Sequence, residues 1–161
     1  LLDNDALSIE LKRIIDNGDL VSDEILNQIF LSKILEDDCR NGYILDGYPR
    51  TTIQQDFLSD FLKKNNLKIK AIFDLFVDEK LVVQRIISRS KIENREDDKE
   101  TVIKNRITKY INETKPLSEY YKNNYPESYH LINGNKEVEL IHEDILKIAK
   151  KWCFQSYFNV S

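Results

Sequence analysis

Methionine is wholly absent from the 161 residues, even at position 1, where the chain begins LLDNDALSIE. Such a start reads as that of a processed, truncated or partly recorded polypeptide. Cysteine occurs only at Cys39 and Cys153, far apart and without neighbouring histidines. That spacing suggests neither a zinc site nor a disulfide framework, and it fits a reducing, intracellular setting. No run approaches the ~18 to 20 apolar residues that a membrane span needs, and the first twenty residues are amphipathic and mixed in charge rather than built as a signal peptide. An excess of basic charge is missing too. The 24 Lys and Arg against 28 Asp and Glu leave a net charge of −4, which argues against general nucleic-acid coating and makes each basic residue matter by position.

What remains is an ordinary globular composition, 41% hydrophobic and 32% charged, in one domain's length of chain. Asn4 or Asp5 can cap a helix that carries Leu7, Leu11, Ile14 and Ile15 at helical spacing and closes at Gly18. Ser22 caps a second helix with Ile25, Leu26, Ile29, Phe30 and Ile34 on one stripe. YILD at 43–46 reads as a short strand, and Thr51 or Thr52 opens a third helix that buries Ile53, Phe57, Leu58, Phe61 and Leu62. The apolar run AIFDLFV at 71–77 reads as a strand covered on both faces. Helices are predicted at 79–89, 99–112 and 116–123, with Pro116 in a first turn. A third strand is predicted at 129–132 and a last helix at 137–151. Strands alternating with helices imply an α/β fold with a mostly parallel sheet. His130 and His142 lack partner spacing and read as structural or surface residues, Trp152 as a packing residue, and the aromatic tail as core packing or a partner contact.

Glycine and proline are scarce, four and three residues, yet NGYILDGYPRTTIQQ at 41–55 holds two of the glycines and one proline. Gly47 permits close backbone approach, Pro49 stiffens the turn, and Arg50 projects a planar five-donor fork suited to phosphate. In an open parallel sheet this turn falls where ligands bind, beyond the carboxyl end of a strand. On its own it fits a structural salt bridge equally well. Downstream, RIISRSKIENREDDKETVIKNR at 85–106 supplies Arg85, Arg89, Arg95 and Arg106 with the carboxylates Asp97 and Asp98. A solvated, salt-bridged helix surface is the ordinary fate of such a run. The choice of arginine at all four positions of a lysine-rich chain favours bidentate phosphate recognition, as phosphoryl transfer requires.

Together with GDLVSDEI and NRITKYINETKPLSEYY, these stretches resemble, in order and at matching spacings from about residue 5 to 150, the adenylate kinase family of nucleoside monophosphate kinases. The resemblance implies reversible phosphoryl transfer from Mg-ATP to AMP, giving ADP. It implies that Arg50 holds the acceptor phosphate, that the turn Gly47, Tyr48 and Pro49 approaches the same nucleotide, and that Gln54 reads its adenine. Asp19, Leu20 and Val21 would line the acceptor-base pocket, and Asp46 would hold Mg2+ through water. Arg89, Arg95 and Arg106 would clamp the phosphates, with Arg95 and Arg106 also on the AMP side. Arg85 would lie against the donor adenine, Lys136 would contact the donor base through its main chain, and Asp97 and Asp98 would orient the lid arginines. The implied layout is a remnant of the acceptor-binding helices at 1–20, a core at 21–90, a short lid at 91–97 without cysteines, and a core with C-terminal helix and tail at 98–161. Expected partners are ATP and AMP, with no nucleic acid and no membrane, in a monomer when complete. The expected compartment is the cytoplasm, the mitochondrion being the alternative. A UMP/CMP kinase and a nucleotide-binding pseudoenzyme are the competing readings; the Thr51 and Gln54 pair favours AMP.

The family's G-x-x-x-x-G-K-[ST] donor loop is not in these 161 residues, whose glycines are Gly18, Gly42, Gly47 and Gly134. The implied fold is therefore a P-loop-kinase-type three-layer α/β/α lacking its first central strand. That strand would lie between 43–46 and 71–77, and each ladder group left unpaired costs ~1–3 kcal/mol. The expectation is that the natural protein carries roughly fifty or fewer residues ahead of Leu1, and that the 161 residues alone are inactive.

Overall fold

The computed structural model describes residues 21–93 and 100–155, with the side chains of 90–93, 100–102 and 152–155 excepted. The predicted first helix, Asp19, Leu20, Arg95, Asp97 and Asp98 lie outside the described residues, and the packing expected of Trp152 falls on a side chain that is likewise outside them. Helix α1, Asp23–Ile34, begins where Ser22 Oγ accepts from the N–H of Ile25 at 3.4 Å, with Asp23 and Glu24 in its first turn complementing the helix dipole. A short 3-10 turn, Asp37–Cys39, follows. Helix α2, Thr52–Lys64, is capped by Thr51, whose Oγ1 accepts from the N–H of Gln54 at 3.2 Å. It closes on Asn66 in the left-handed region at φ 53°, with Leu67 N–H bonding Leu62 O at 2.8 Å, the 6→1 bond of a Schellman ending.

Strands β1, Ile72–Phe76, and β2, Tyr129–Asn133, pair in parallel with Ile72 opposite Tyr129 and Phe76 opposite Asn133. Parallel neighbours need a long crossover, and here it is helical: α3, Glu79–Glu93, then α4, Glu100–Lys109, a wide π turn, Tyr110–Thr114, and α5, Lys115–Asn124. The sequence divides this stretch into separate helices at 99–112 and 116–123. Instead the helix continues through the π turn, and Pro116 sits in the turn just beyond it. Proline lacks the N–H of the i→i−4 ladder and crowds the preceding turn, so widening at that place relieves the conflict. Helix α6, Val138–Gln155, is the last element among the described residues, longer than its periodicity foretold. The expected α/β class with parallel strands is borne out: the protein is helix-rich around a small parallel sheet, in keeping with an α/β/α kinase-type fold.

The strand expected at 43–46 does not form. Its alternation is real, since Tyr43 and Leu45 pack against the core while Ile44 between them is 95% exposed. Alternation alone does not make a strand; a ladder partner does, and none stands beside 43–46 among the described residues. The segment is extended chain instead. Its inward residues join a cluster of Phe30, Leu58 and Leu62 that locks α1 to α2. Phe30 is the hub, stacked on Tyr48 at 5.3 Å between ring centroids and met edge-on by Phe61 at 5.1 Å and Phe57 at 6.3 Å. His130 lies beside Phe73 across the sheet, their ring centroids 5.9 Å apart, and His142 is exposed.

Candidate functional site

The turn 46–51 is held from three directions, and all three converge on Arg50. Its N–H donates to Gln54 Oε1 at 2.7 Å, its carbonyl accepts from Thr114 Oγ1 at 2.9 Å, and its Nε donates to Gly47 O at 2.8 Å. The two terminal amino groups of the exposed guanidinium have no partner among the described residues. A cation fixed at its root and open at its tip can receive a phosphate with little further ordering cost. Gly47 makes this geometry: its φ is +70°, and a Cβ there would lie 2.6 Å from Arg50 Nη2. The Tyr48–Pro49 peptide bond is cis.

The flank of this turn is built by α1. Asp23 Oδ1 accepts from Thr51 Oγ1 at 2.9 Å and from Gln54 Nε2 at 2.7 Å, and Asn27 Oδ1 accepts from the Tyr48 hydroxyl at 2.6 Å. Burial pushes the Tyr48 phenol up to about 12, helped by the nearby Asp23 carboxylate. Tyr48 thus acts as a neutral pin. Gln54 is 0% exposed, with both ends of its carboxamide bonded within the protein. Only one N–H and one lone pair remain to it, and contact with a base would need its cover to open. Val21 is buried in the core rather than displayed. Pro49 is half-buried, and Asp46 and Gly47 are exposed at the turn.

A second cluster lies at the carboxyl end of the sheet. From α3, Arg85 donates through Nη1 to Gly134 O at 2.7 Å and through Nη2 to Lys136 O at 2.8 Å. Gly134 N–H donates to Phe76 O at 2.8 Å, and Asn135 Oδ1 accepts the N–H of Asp78 at 2.8 Å, so the loop after β2 is laced to the end of β1. Arg85 and Lys136, joined in sequence reasoning only by family resemblance, are therefore in contact here. The Lys136 ammonium is engaged elsewhere, with Asp144 Oδ2 at 2.6 Å, so both its side chain and its carbonyl are bonded within the protein. Arg89 follows Arg85 by four residues on the same helix, and Arg106 lies on α4; each has partners within the protein. Thr114, eight residues after Arg106, ties that helical run to Arg50. A shallow hollow beside Leu62, Leu67 and Tyr125 includes none of the predicted residues.

Sequence reasoning missed Asp23, Asn27, Thr114 and Asn135. For the first two a signal existed: Asp23, Asn27, Phe30 and Ile34 share a stripe at i, i+4, i+7 and i+11, polar at the end that meets the turn. A metal would find one hard oxygen ligand at Asp46. Among the described residues no three His, Cys, Asp or Glu side chains cluster. Mg2+ is ordinarily held by one or two carboxylates plus substrate phosphates, so this donor set fits it.

A small parallel sheet, an exposed arginine on a braced turn and an arginine-tied loop at the sheet's carboxyl end are what an α/β protein that handles phosphate would present. The chain belongs to the adenylate kinase family, whose family model matches residues 3–125. It is 39% identical over 142 residues to an adenylate kinase of Leptospira biflexa serovar Patoc, covering 88% of this chain and 75% of that relative. Against an adenylate kinase of Brucella melitensis biotype 1 the identity is 41% over 143 residues, covering 85% and 73%. Against one of Pseudarthrobacter chlorophenolicus it is 39% over 115 residues, covering 71% and 60%.

Proposed function

We propose that the protein catalyses reversible phosphoryl transfer between Mg-ATP and AMP, with Arg50 as the anchor of the acceptor phosphate. The single observation that carries this reading is Arg50 itself: backbone N–H, backbone carbonyl and Nε are all bonded, while the terminal amino groups have no partner among the described residues. An oxygen of the AMP phosphate attacks the γ-phosphorus of ATP, and the bond from that phosphorus to the β-phosphate oxygen breaks. Two ADP result and no water is consumed. The protein's part is positioning and charge stabilisation. Arg50 would hold the acceptor, while Arg89, Arg95 and Arg106 would spread over the transferred group as its charge develops. Arg85 and the Lys136 main chain would seat the donor base, and Asp97 and Asp98 would orient the lid. Asp46 would hold Mg2+ through water; with ATP bound, that ion supplies neutralisation of the phosphate charge.

AMP is favoured over CMP and UMP by the adenylate kinases among the relatives and by the Thr51 and Gln54 pair. The same relatives favour an active enzyme over a pseudoenzyme. No helix among the described residues is long and apolar enough to cross a membrane. A monomer in the cytoplasm belongs to the same proposal, supported by sparse cysteine and the free thiol of Cys39. The test is ADP formation by the full-length protein with Mg-ATP and AMP, CMP or UMP in turn. AMP-dependent ADP is expected; a preference for a pyrimidine acceptor, or no transfer to any, would reject the reading.

A further inference from the structure

The acceptor-side turn leans on a carboxylate to which family resemblance gives no role. Asp23 stands in the first turn of α1, half-buried, and a single oxygen, Oδ1, accepts from both Thr51 Oγ1 at 2.9 Å and Gln54 Nε2 at 2.7 Å. The far end of the Gln54 carboxamide accepts the Arg50 N–H at 2.7 Å. Hydrogen bonds therefore run without a gap from α1 to the peptide of the arginine. An ionised carboxylate accepts and never donates, so the Gln54 amino group must face Asp23 and its carbonyl must face Arg50. The flipped carboxamide would set amino group against the Arg50 N–H and carbonyl against carboxylate, two mismatches in a place that water does not reach. Asn27, one helical turn on, fixes Tyr48 from the same face, so the whole turn is referenced to α1.

We propose that Asp23 is a positioning residue of the acceptor-phosphate site. Its carboxylate sets the orientation of the Gln54 amide, and through it the Arg50 peptide and the guanidinium that the peptide carries. The inference rests on the reading of the protein as an AMP kinase. It goes beyond that reading in assigning the aim of Arg50 to a side chain outside the expected nucleotide contacts.

Asp23→Asn keeps the shape of the side chain and replaces one acceptor with a donor, so it separates orientation from packing. In the full-length protein the variant is expected to raise the KM for AMP about tenfold, as for loss of a hydrogen bond to a charged group. The KM for ATP should change less than about twofold. By NMR, the Gln54 side-chain amide hydrogens should exchange slowly in the parent and much faster in the variant. An unchanged KM for AMP would overturn the proposal. So would equal rises for AMP and ATP accompanied by a lower Tm, the mark of a merely structural residue. The parent measured alongside separates the two levels: a parent active on AMP with an indistinguishable variant sinks only the role of Asp23, whereas a parent inactive on AMP sinks the function and the inference with it. Should the variant not fold, Asp23→Glu, which keeps the acceptor but moves it by one methylene, takes its place. A raised KM for AMP with a steady KM for ATP upholds the proposal, and an unchanged KM for AMP overturns it.

Discussion

At Gly47 two constraints meet in one residue. Its φ of +70° disfavours any side chain, and the space a Cβ would fill is taken by the Arg50 guanidinium. The obstacle is the far end of a flexible side chain, so the fold can absorb the clash while the function cannot. Gly47→Ala should cost about 1–2 kcal/mol of stability in urea denaturation, the penalty of left-handed backbone for an L residue. It should weaken AMP binding more than that figure suggests, because Arg50 must swing aside; calorimetry with AMP checks this, and an affinity equal to the parent's would refute it. The importance of this turn was legible in the sequence because glycine, proline and arginine are individually expressive there. Asp23 was not. An acidic residue in the first turn of a helix already has a sufficient local explanation in the dipole, and its actual partners, Thr51 and Gln54, lie 28 and 31 residues away.

Helix α1 works as a bracket, with its polar end on the turn and Phe30 at the centre of the aromatic cluster. Phe30→Ala should cost about 3–5 kcal/mol, the usual range for emptying an aromatic from a core. Because Tyr48 stacks on that ring, part of the loss should appear as a raised KM for AMP in the fraction still folded. Equilibrium denaturation with parallel kinetics tests both, and a loss below about 1 kcal/mol would show that the cluster closes over the gap. Helix periodicity gave the existence of α1 and α2 reliably, since a helix satisfies its own backbone. The 43–46 segment shows the opposite case. Its in-out alternation was legible, but whether it is a strand depends on a neighbour that its own residues do not encode. The π turn was equally hidden: Pro116 announced a boundary, not a widened turn in a continuing helix.

Across the molecule, tyrosines carry a shared liability. Burial pushes the phenol of Tyr48 up to about 12 and those of Tyr121 and Tyr129 higher still, the last also through its 2.5 Å hydrogen bond to Asp74. A folded-state pKa above the unfolded value of 10.0 favours folding while the group is neutral. The contribution of these rings to stability should therefore be level below pH 10.0 and fall as pH rises from there through about 12. Urea denaturation against pH, read beside phenolate absorbance, should show ionisation of these rings arriving together with unfolding. Ionisation near pH 10.0 with the fold intact would contradict it. The glycine at 134 offers something different. A methyl group there would fall 2.6 Å from the Val77 side-chain Cγ2 and 3.0 Å from the backbone Phe76 O, so the end of β1 must shift to admit it. Gly134 also supplies the carbonyl that Arg85 grips. On the proposed assignment, Gly134→Ala should prise apart the side given to ATP and leave the side given to AMP whole, yielding a protein that still captures one substrate and has lost the other.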